Sequence, residues 1–142
     1  MIPVANPLAF YQRHRAEMDA AWQRVMDSGR YILGPEVEAF EAEFAAHFDA
    51  RFGVGVASGT EALWLALRAL EINAGDEVIV PSLTASATVA AIVEAGAQPV
   101  FAEVDEATLN IRPAGIESLV TPRTRALVAV HLYGNPADMA AL

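Results

Sequence analysis

The chain is predicted to fold as an α/β domain with a mostly parallel sheet and flanking helices. Three observations support this prediction. Short β-branched runs alternate with segments of helical periodicity, each connection is long enough for a crossover, and small or polar residues follow several runs. With 142 residues and 54% hydrophobic content, the chain is long and apolar enough to bury the core that such a sheet needs.

Two helices are predicted before the first strand. Apolar residues recur at helical spacing from His14 to Ser28, and Gly29 is placed to end that helix. After a loop over Arg30–Gly34, Pro35 suits the first turn of a second amphipathic helix. Its apolar face is expected to pack in the core: Val37, Phe40, Phe44, Ala45 and Phe48. The loop is the predicted boundary between an amino-terminal helix and loop and a larger domain, at 1–34 and 35–142.

Four strands are predicted, with a helix in each interval. The strands are Val54–Ala57, Glu77–Pro81, Val100–Glu103 and Ala126–Val130. The intervening helices are predicted through Leu63 to Leu70, over Thr84–Ala95 and over Pro113–Leu119, and Asn135 or Asp138 is placed to start another. Because ligands of parallel sheets bind at the carboxyl ends of the strands, the loops that follow them are candidate site segments: Ser58-Gly59-Thr60, Ser82-Leu83-Thr84 and His131-Leu132-Tyr133-Gly134.

Composition excludes several classes of protein. Eighteen acidic residues against nine basic ones give a net charge of -9, the wrong sign for a general nucleic-acid binder. The absence of cysteine excludes disulfides and thiolate chemistry. Hydropathy predicts neither a signal peptide nor a membrane span, and no histidine lies in a cluster with metal-ligand spacing. We therefore expect a cytoplasmic protein without a metal site, a nucleic-acid partner or a membrane partner.

The turn at Ser58-Gly59-Thr60 is a candidate phosphate site. Small residues at the start of a helix let backbone N–H groups approach an anion, and the helix dipole adds to the attraction. Glu61, in the same turn, is expected to point away from a bound anion. All nine basic residues are arginine, so no side-chain amine is present to act as a nucleophile. No catalytic residue is assigned for this reason.

Four segments, in order and at natural spacing, carry a family resemblance. They are Gly34-Pro35-x-Val37-x-x-Phe40-Glu41, Ala57-Ser58-Gly59-Thr60-Glu61-Ala62-Leu63, Gly75-Asp76-Glu77-Val78-Ile79-Val80-Pro81-Ser82 and Val130-His131-Leu132-Tyr133-Gly134. Together they resemble the amino-terminal part of the DegT/DnrJ/EryC1/StrS family. The resemblance implies a partial large domain of the aspartate-aminotransferase-like fold (PLP fold type I), with pyridoxal 5'-phosphate as cofactor. It also implies a homodimer that transfers an amino group from an amino-acid donor to a nucleotide-linked keto sugar, in polysaccharide or amino-sugar biosynthesis.

The same resemblance assigns roles to five residues. Ser58, Gly59 and Thr60 match the turn that holds the cofactor phosphate, and His131 matches a segment near the cofactor side of the sheet. At Ala85 the family commonly has an aromatic residue that stacks on the pyridine ring. Since alanine cannot stack, Leu83, His131 or a residue beyond this chain covers the ring, or cofactor binding is weak. Read from the residues alone, a lone histidine such as His131 is first a structural hydrogen-bonding group.

The family's Schiff-base lysine and its aspartate for the pyridinium nitrogen match no position of this sequence. Asp105 and Asp138 are expected to be turn or cap residues, and Thr84, Ser86 and Thr88 either cap and pack a helix or contact a ligand. Two other functions stay open. One is a non-catalytic module of a truncated paralogue that binds a phosphate ligand or a dimer partner, and the other is a family sugar dehydratase. An unrelated nucleotide-binding domain is disfavoured because neither usual glycine-rich phosphate motif occurs.

Overall fold

A computed structural model describes residues 5–142, which divide into two compact units. The first unit ends at Gly55 and the second runs from Val56 to Leu142. This division falls later than the loop that the sequence suggests as a boundary, and the domain limits 1–34 and 35–142 stay a prediction.

From residue 5 onward, the first unit contains three helices: α1 (Pro7–Arg13), α2 (Arg15–Ser28) and α3 (Pro35–His47). The predicted helices correspond to α2 and α3, and Gly29 ends α2 in the left-handed conformation with φ of 65°. The sequence analysis did not predict α1, which begins where the Asn6 side chain accepts a hydrogen bond from the Ala9 N–H at 3.1 Å. Two hydrogen bonds from Arg24 to Glu36, of 2.6 and 2.9 Å, link α2 to α3.

The expectation that the apolar face of α3 packs in a core is wrong for its phenylalanines. Phe40, Phe44 and Phe48 are 57%, 50% and 62% exposed, although their rings contact one another along the helix. Within the first unit only Ala45 of this face is buried. The physical reason is that the helices described in this unit provide no layer that covers the phenylalanine side of α3.

The second unit contains a three-stranded parallel sheet. Its strands are β1 (Glu77–Pro81), β2 (Gln98–Ala102) and β3 (Thr124–Leu127), in the order β2-β1-β3. The helices are α4 (Gly59–Ala69), α5 (Ser86–Glu94) and α6 (Ile116–Leu119), and a 3-10 turn covers Leu132–Gly134. The predicted α/β class and the parallel arrangement are confirmed. β1 matches its predicted bounds. β2 and β3 each begin two residues earlier than predicted, and they end one and three residues earlier, respectively.

The central strand supplies both faces of the core. Val78 and Val80 pack with Leu67 of α4 and Ile92 of α5 on one face. Ile79 points to the other face, where its cluster contains Ala102 and is covered by Ile116 and Leu119 of α6. Because side chains alternate along a strand, a continuous apolar run indicates burial on both faces, as observed for β1.

The predicted strand Val54–Ala57 is not formed. Val54 and Val56 are 78% and 38% exposed, and no strand in the described part of the chain pairs with this segment. Its backbone donors instead bond to carboxylates within each unit: Gly55 N–H to Glu41 at 2.6 Å, and Ala57 N–H to Glu61 at 2.7 Å. An apolar run without a neighbouring strand cannot form a sheet ladder. The β-branched pattern therefore predicted a strand at Val54–Ala57 wrongly.

Two predicted helices are shorter than expected. α5 begins at Ser86 and α6 at Ile116, and the residues after Asn135 form turns instead of a further helix. None of the helices within residues 5–142 combines the length and apolar character that a membrane crossing requires.

Candidate functional site

The start of α4 holds two backbone donors without an acceptor. Ser58 is the N-cap residue: its hydroxyl oxygen accepts from the Glu61 N–H at 3.2 Å, and its carbonyl accepts from the Ala62 N–H at 3.0 Å. The N–H groups of Gly59 and Thr60 donate to no atom within residues 5–142. Together with the Thr60 hydroxyl, they form three donors at the positive end of an 11-residue helix.

The space next to this turn is open. Apart from its chain neighbours and the nearby backbone of its own helix, no heavy atom would lie within 4 Å of a Cβ atom at Gly59, so a ligand has room to approach the backbone there. A ligand phosphate needs such access to reach main-chain donors. The turn therefore fits a phosphate in both donor chemistry and space.

Glu61 is held away from the two donors by its own hydrogen bond. Its carboxylate accepts from the Ala57 N–H, which precedes the cap residue. Glu61 also lines an open cavity of about 590 Å³ beside this turn, together with Ser58, Thr60 and Glu94. Because the two carboxylates of this cavity repel a dianion, we place the candidate anion site at its Thr60 side, next to the Gly59 and Thr60 donors.

Ala85 lies at the start of α5, in the loop after β1. It is an exposed N-cap residue in extended conformation, and its side chain makes no capping hydrogen bond. Nearby, the hydroxyl groups of Thr84 and Thr88 lie 3.0 Å apart, and Thr88 is 6% exposed. Thr88 thus packs in the helix, while Leu83, at 40% exposure, is the larger apolar group available in this loop.

His131 makes a specific backbone contact after β3. Its Nδ1 atom accepts from the Ala137 N–H at 2.9 Å, so the proton of the neutral ring sits on Nε2. His131 also lines an apolar cavity of about 330 Å³, with Leu63 and Met139 among its neighbours. This is not the cavity beside Ser58. The contact agrees with the structural role that we expected first from the sequence.

Asn110 was missed by the sequence analysis. It is 3% exposed, and its amide bonds to the backbone of the segment after β3 through Leu132 N–H and Asn135 O. No motif or spacing marks this asparagine in the sequence, since its partners lie more than twenty positions away.

Asp105 and Asp138 are turn residues, as expected. One Asp105 oxygen accepts from the N–H groups of Thr108 and Ala107, and these bonds, that of Thr108 above all, hold the pKa of the Asp105 carboxyl below its ordinary value. Asp138 accepts from the Ala141 N–H at 3.1 Å. Each of the two carboxylates stabilises its own local turn, and the two do not face a common ligand.

Comparison with known proteins gives a family match. Residues 12–142 match the model of the DegT/DnrJ/EryC1/StrS aminotransferase family. A dTDP-3-amino-3,4,6-trideoxy-alpha-D-glucose transaminase of Streptomyces venezuelae is 55% identical over 99% of this chain, which spans 37% of that relative.

Two solved structures are similar as well. The S. venezuelae protein DesV, in complex with a ketimine intermediate, superposes with a TM-score of 0.93 and 55% identity, covering 99% of this chain and 38% of its own. NtdA of Bacillus subtilis, with bound cofactor PMP, gives a TM-score of 0.85 and 33% identity, covering 91% of this chain and 30% of its own. The chain thus spans between 30% and 38% of the length of these relatives.

Proposed function

Because the chain belongs to the DegT/DnrJ/EryC1/StrS aminotransferase family, we propose that it is the amino-terminal part of a pyridoxal 5'-phosphate-dependent aminotransferase. Its substrates are a nucleotide-linked keto sugar and an amino-acid donor. The observation that carries the proposal is the open start of α4, where Gly59 and Thr60 present donors without acceptors. The S. venezuelae relative, a dTDP-sugar transaminase by name, supports the substrate class.

The residues of the α4 turn fit the phosphate half of the cofactor. The Gly59 and Thr60 N–H groups and the Thr60 hydroxyl would bind phosphate oxygens, while Ser58 caps the helix. Pyridoxal phosphate, when bound, supplies the electron sink for chemistry at the amino-bearing carbon. Ala85 and His131 lie in loops after β1 and β3, and we propose that they line the ring side of the site.

Proton transfer is not assigned to these 142 residues. The chain contains no lysine, and the imidazole of His131 uses Nδ1 to hold the Ala137 N–H. This part of the protein therefore binds and orients the cofactor, and it does not turn over substrate alone. Borohydride reduction in the presence of pyridoxal phosphate should trap no adduct on a side chain. A trapped adduct that maps to a side chain of this chain would contradict the assignment.

A cytoplasmic homodimer completes the proposal. The exposed phenylalanines of α3 give the first unit an uncovered apolar surface, which favours association. Light scattering across a salt series tests this, because the charge of -9 opposes association less as salt rises. We expect association to increase with salt. A monodisperse monomer at high protein and salt concentration would exclude it.

A second candidate function is supported by two absences in the sequence. Without a lysine, and with alanine at position 85, the chain is also suited to be a non-catalytic module that binds a phosphate ligand. The genomic reading frame after the Leu142 codon separates the two functions. A continuing frame with a lysine supports the aminotransferase, and an immediate stop codon supports the module.

Calorimetric titration with pyridoxal 5'-phosphate tests the shared site. Thr60→Val removes one hydroxyl that bonds to a charged group, so the affinity should fall about tenfold, equivalent to roughly 1.5 kcal/mol. Thr60→Ser keeps the hydroxyl and should keep the affinity of the wild type. An unchanged affinity in Thr60→Val would remove Thr60 from the site.

A further inference from the structure

Asn110 is a buried polar residue that the proposed function does not use. Its Nδ2 donates to the Asn135 carbonyl at 2.9 Å, and its Oδ1 accepts from the Leu132 N–H at 3.1 Å. Both ends of one amide are thus bonded to the segment that follows β3. A buried amide with both ends satisfied in this way fixes the position of the backbone that it contacts.

Two more side chains secure the same segment, residues 131–135. The Asn135 side chain donates to the Thr108 carbonyl at 3.1 Å, back into the turn that carries Asn110. His131 Nδ1 accepts from the Ala137 N–H. Three side chains therefore determine the course of a segment that lies beyond the carboxyl end of β3, outside any strand or α-helix.

The segment adopts an unfavourable backbone conformation between the two Asn110 contacts. Tyr133 has φ of 54°, a left-handed value that is rare for a residue with a Cβ atom, and Gly134 follows with φ of 81°. Tyr133 is 86% exposed, so packing of its ring does not offset the strain. The bonds from Asn110 to Leu132 and Asn135 flank Tyr133. Together with two backbone bonds, from Gly134 N–H to the His131 carbonyl and from Asn135 N–H to the Leu132 carbonyl, they hold Tyr133 in this conformation.

We infer that Asn110 is a positioning residue that fixes residues 131–135, and with them the His131 ring and the Tyr133 side chain, at the carboxyl edge of the sheet for contact with the ring portion of the cofactor. This inference rests on the proposed function, which supplies the ligand. Asn110 itself acts only through the segment that it holds.

The test uses the 142-residue chain and two probes, pyridoxal 5'-phosphate and inorganic phosphate. In Asn110→Asp the shape is kept, but an oxygen replaces the group that donates to Asn135. Asn73→Asp controls for the change from amide to carboxylate, because the Asn73 amide also donates to a backbone carbonyl, that of Glu71, but Asn73 is exposed and lies in the turn before β1. Calorimetry gives both affinities, and ¹⁵N NMR of the His131 ring reports which nitrogen carries the proton.

We expect Asn110→Asp to weaken pyridoxal phosphate binding about fivefold and to leave inorganic phosphate within about twofold, since inorganic phosphate needs only the α4 turn. The His131 signal should change from one tautomer to a mixture, and Asn73→Asp should change none of the three readings. If Asn110→Asp does not fold, Asn135→Ala removes only the bond to Thr108 and should shift the readings in the same direction.

Three results would overturn the inference. The first is an unchanged affinity of Asn110→Asp for pyridoxal phosphate, and the second is an unchanged His131 signal. The third is an equal loss of affinity for both probes, which indicates a merely structural role. If the wild-type chain binds neither probe, the proposed function fails. The positioning of residues 131–135 by Asn110 is then decided by the His131 signal alone, which supports it if altered and refutes it if unaltered.

Discussion

Polar groups at the first residue of β1 and at the start of α4 differ in whether they have partners. We call the two ends of the parallel sheet, where its strands begin and where they finish, the amino edge and the carboxyl edge. At the amino edge, the first residue of β1, Glu77, is 4% exposed and fully partnered: its carboxylate accepts from the Thr121 hydroxyl at 2.6 Å and from Arg123 Nε at 2.9 Å. At the carboxyl edge the loops are exposed around Leu83 and Ala85. Because α4 packs on β1 and ends just before that strand begins, its start at Gly59 lies toward the same edge.

The comparison shows where stability and binding are divided in this unit. A buried charge is tolerated at the amino edge only because each oxygen has a partner. Donors without partners are tolerated at Gly59 and Thr60 because solvent reaches them, and solvent can be exchanged for a ligand. We therefore expect substitutions at the amino edge to change mainly the free energy of unfolding, and those at the carboxyl edge to change mainly binding.

The largest expected effect comes from equal truncations at the two edges. Ile72, at the amino edge, is 1% exposed, and Leu83, at the carboxyl edge, is 40% exposed. Ile72→Ala should lower the free energy of unfolding by about 3 kcal/mol, through lost burial and the cavity that remains. Leu83→Ala should cost about 0.5 kcal/mol, as expected for a surface site. Urea unfolding measures both. Equal costs would contradict the division between the edges.

A smaller effect is expected at the helix cap. Ser58→Ala removes the acceptor of the Glu61 N–H and should lower the free energy of unfolding by about 1 kcal/mol. Ser58→Gly is the control. Its expected cost is only about 0.3 kcal/mol, because glycine is itself tolerated at the N-cap position. Thermal or urea unfolding in phosphate-free buffer gives the two values. If alanine and glycine cost the same, the hydroxyl does not contribute as a cap.

The smallest expected effect is a pH dependence at the amino edge. Hydrogen bonds from Thr121 and Arg123 hold the pKa of the Glu77 carboxyl below its ordinary value of 4.5. A carboxyl with a lowered pKa in the folded state stabilises the fold above the unfolded pKa, and that stability is lost as pH falls through the folded pKa. The urea midpoint should therefore fall on acidification below the ordinary glutamate range.

Glu77→Gln isolates this contribution, because glutamine does not titrate. The variant should lose less stability between neutral and acidic pH than the wild type does. The pKa of Glu36 is also lowered, by its partner Arg24, but the Glu36 side chain is 40% exposed, so Glu36→Gln should change the pH dependence less. The same pH dependence in Glu77→Gln and the wild type would show that Glu77 does not contribute.

The sequence predicted the second unit better than the first. β1 is apolar at four successive positions after Glu77, and burial on both faces leaves such a run few alternatives, so its bounds were correct. The phenylalanine pattern of α3 predicted a helix correctly but not its burial. Periodicity shows which side of a helix is apolar, but it does not show whether another layer covers that side.

The sequence by itself determined the α/β class, the bounds of β1 and the start of α4 at Ser58-Gly59-Thr60, because these depend on local periodicity and on capping chemistry. Tertiary structure decided the rest. Val54–Ala57 formed no strand, since a ladder requires a neighbouring strand. Asn110 became the support of residues 131–135 only because the fold brings positions 22 and 25 residues apart into hydrogen-bond distance, and no local pattern encodes such a contact.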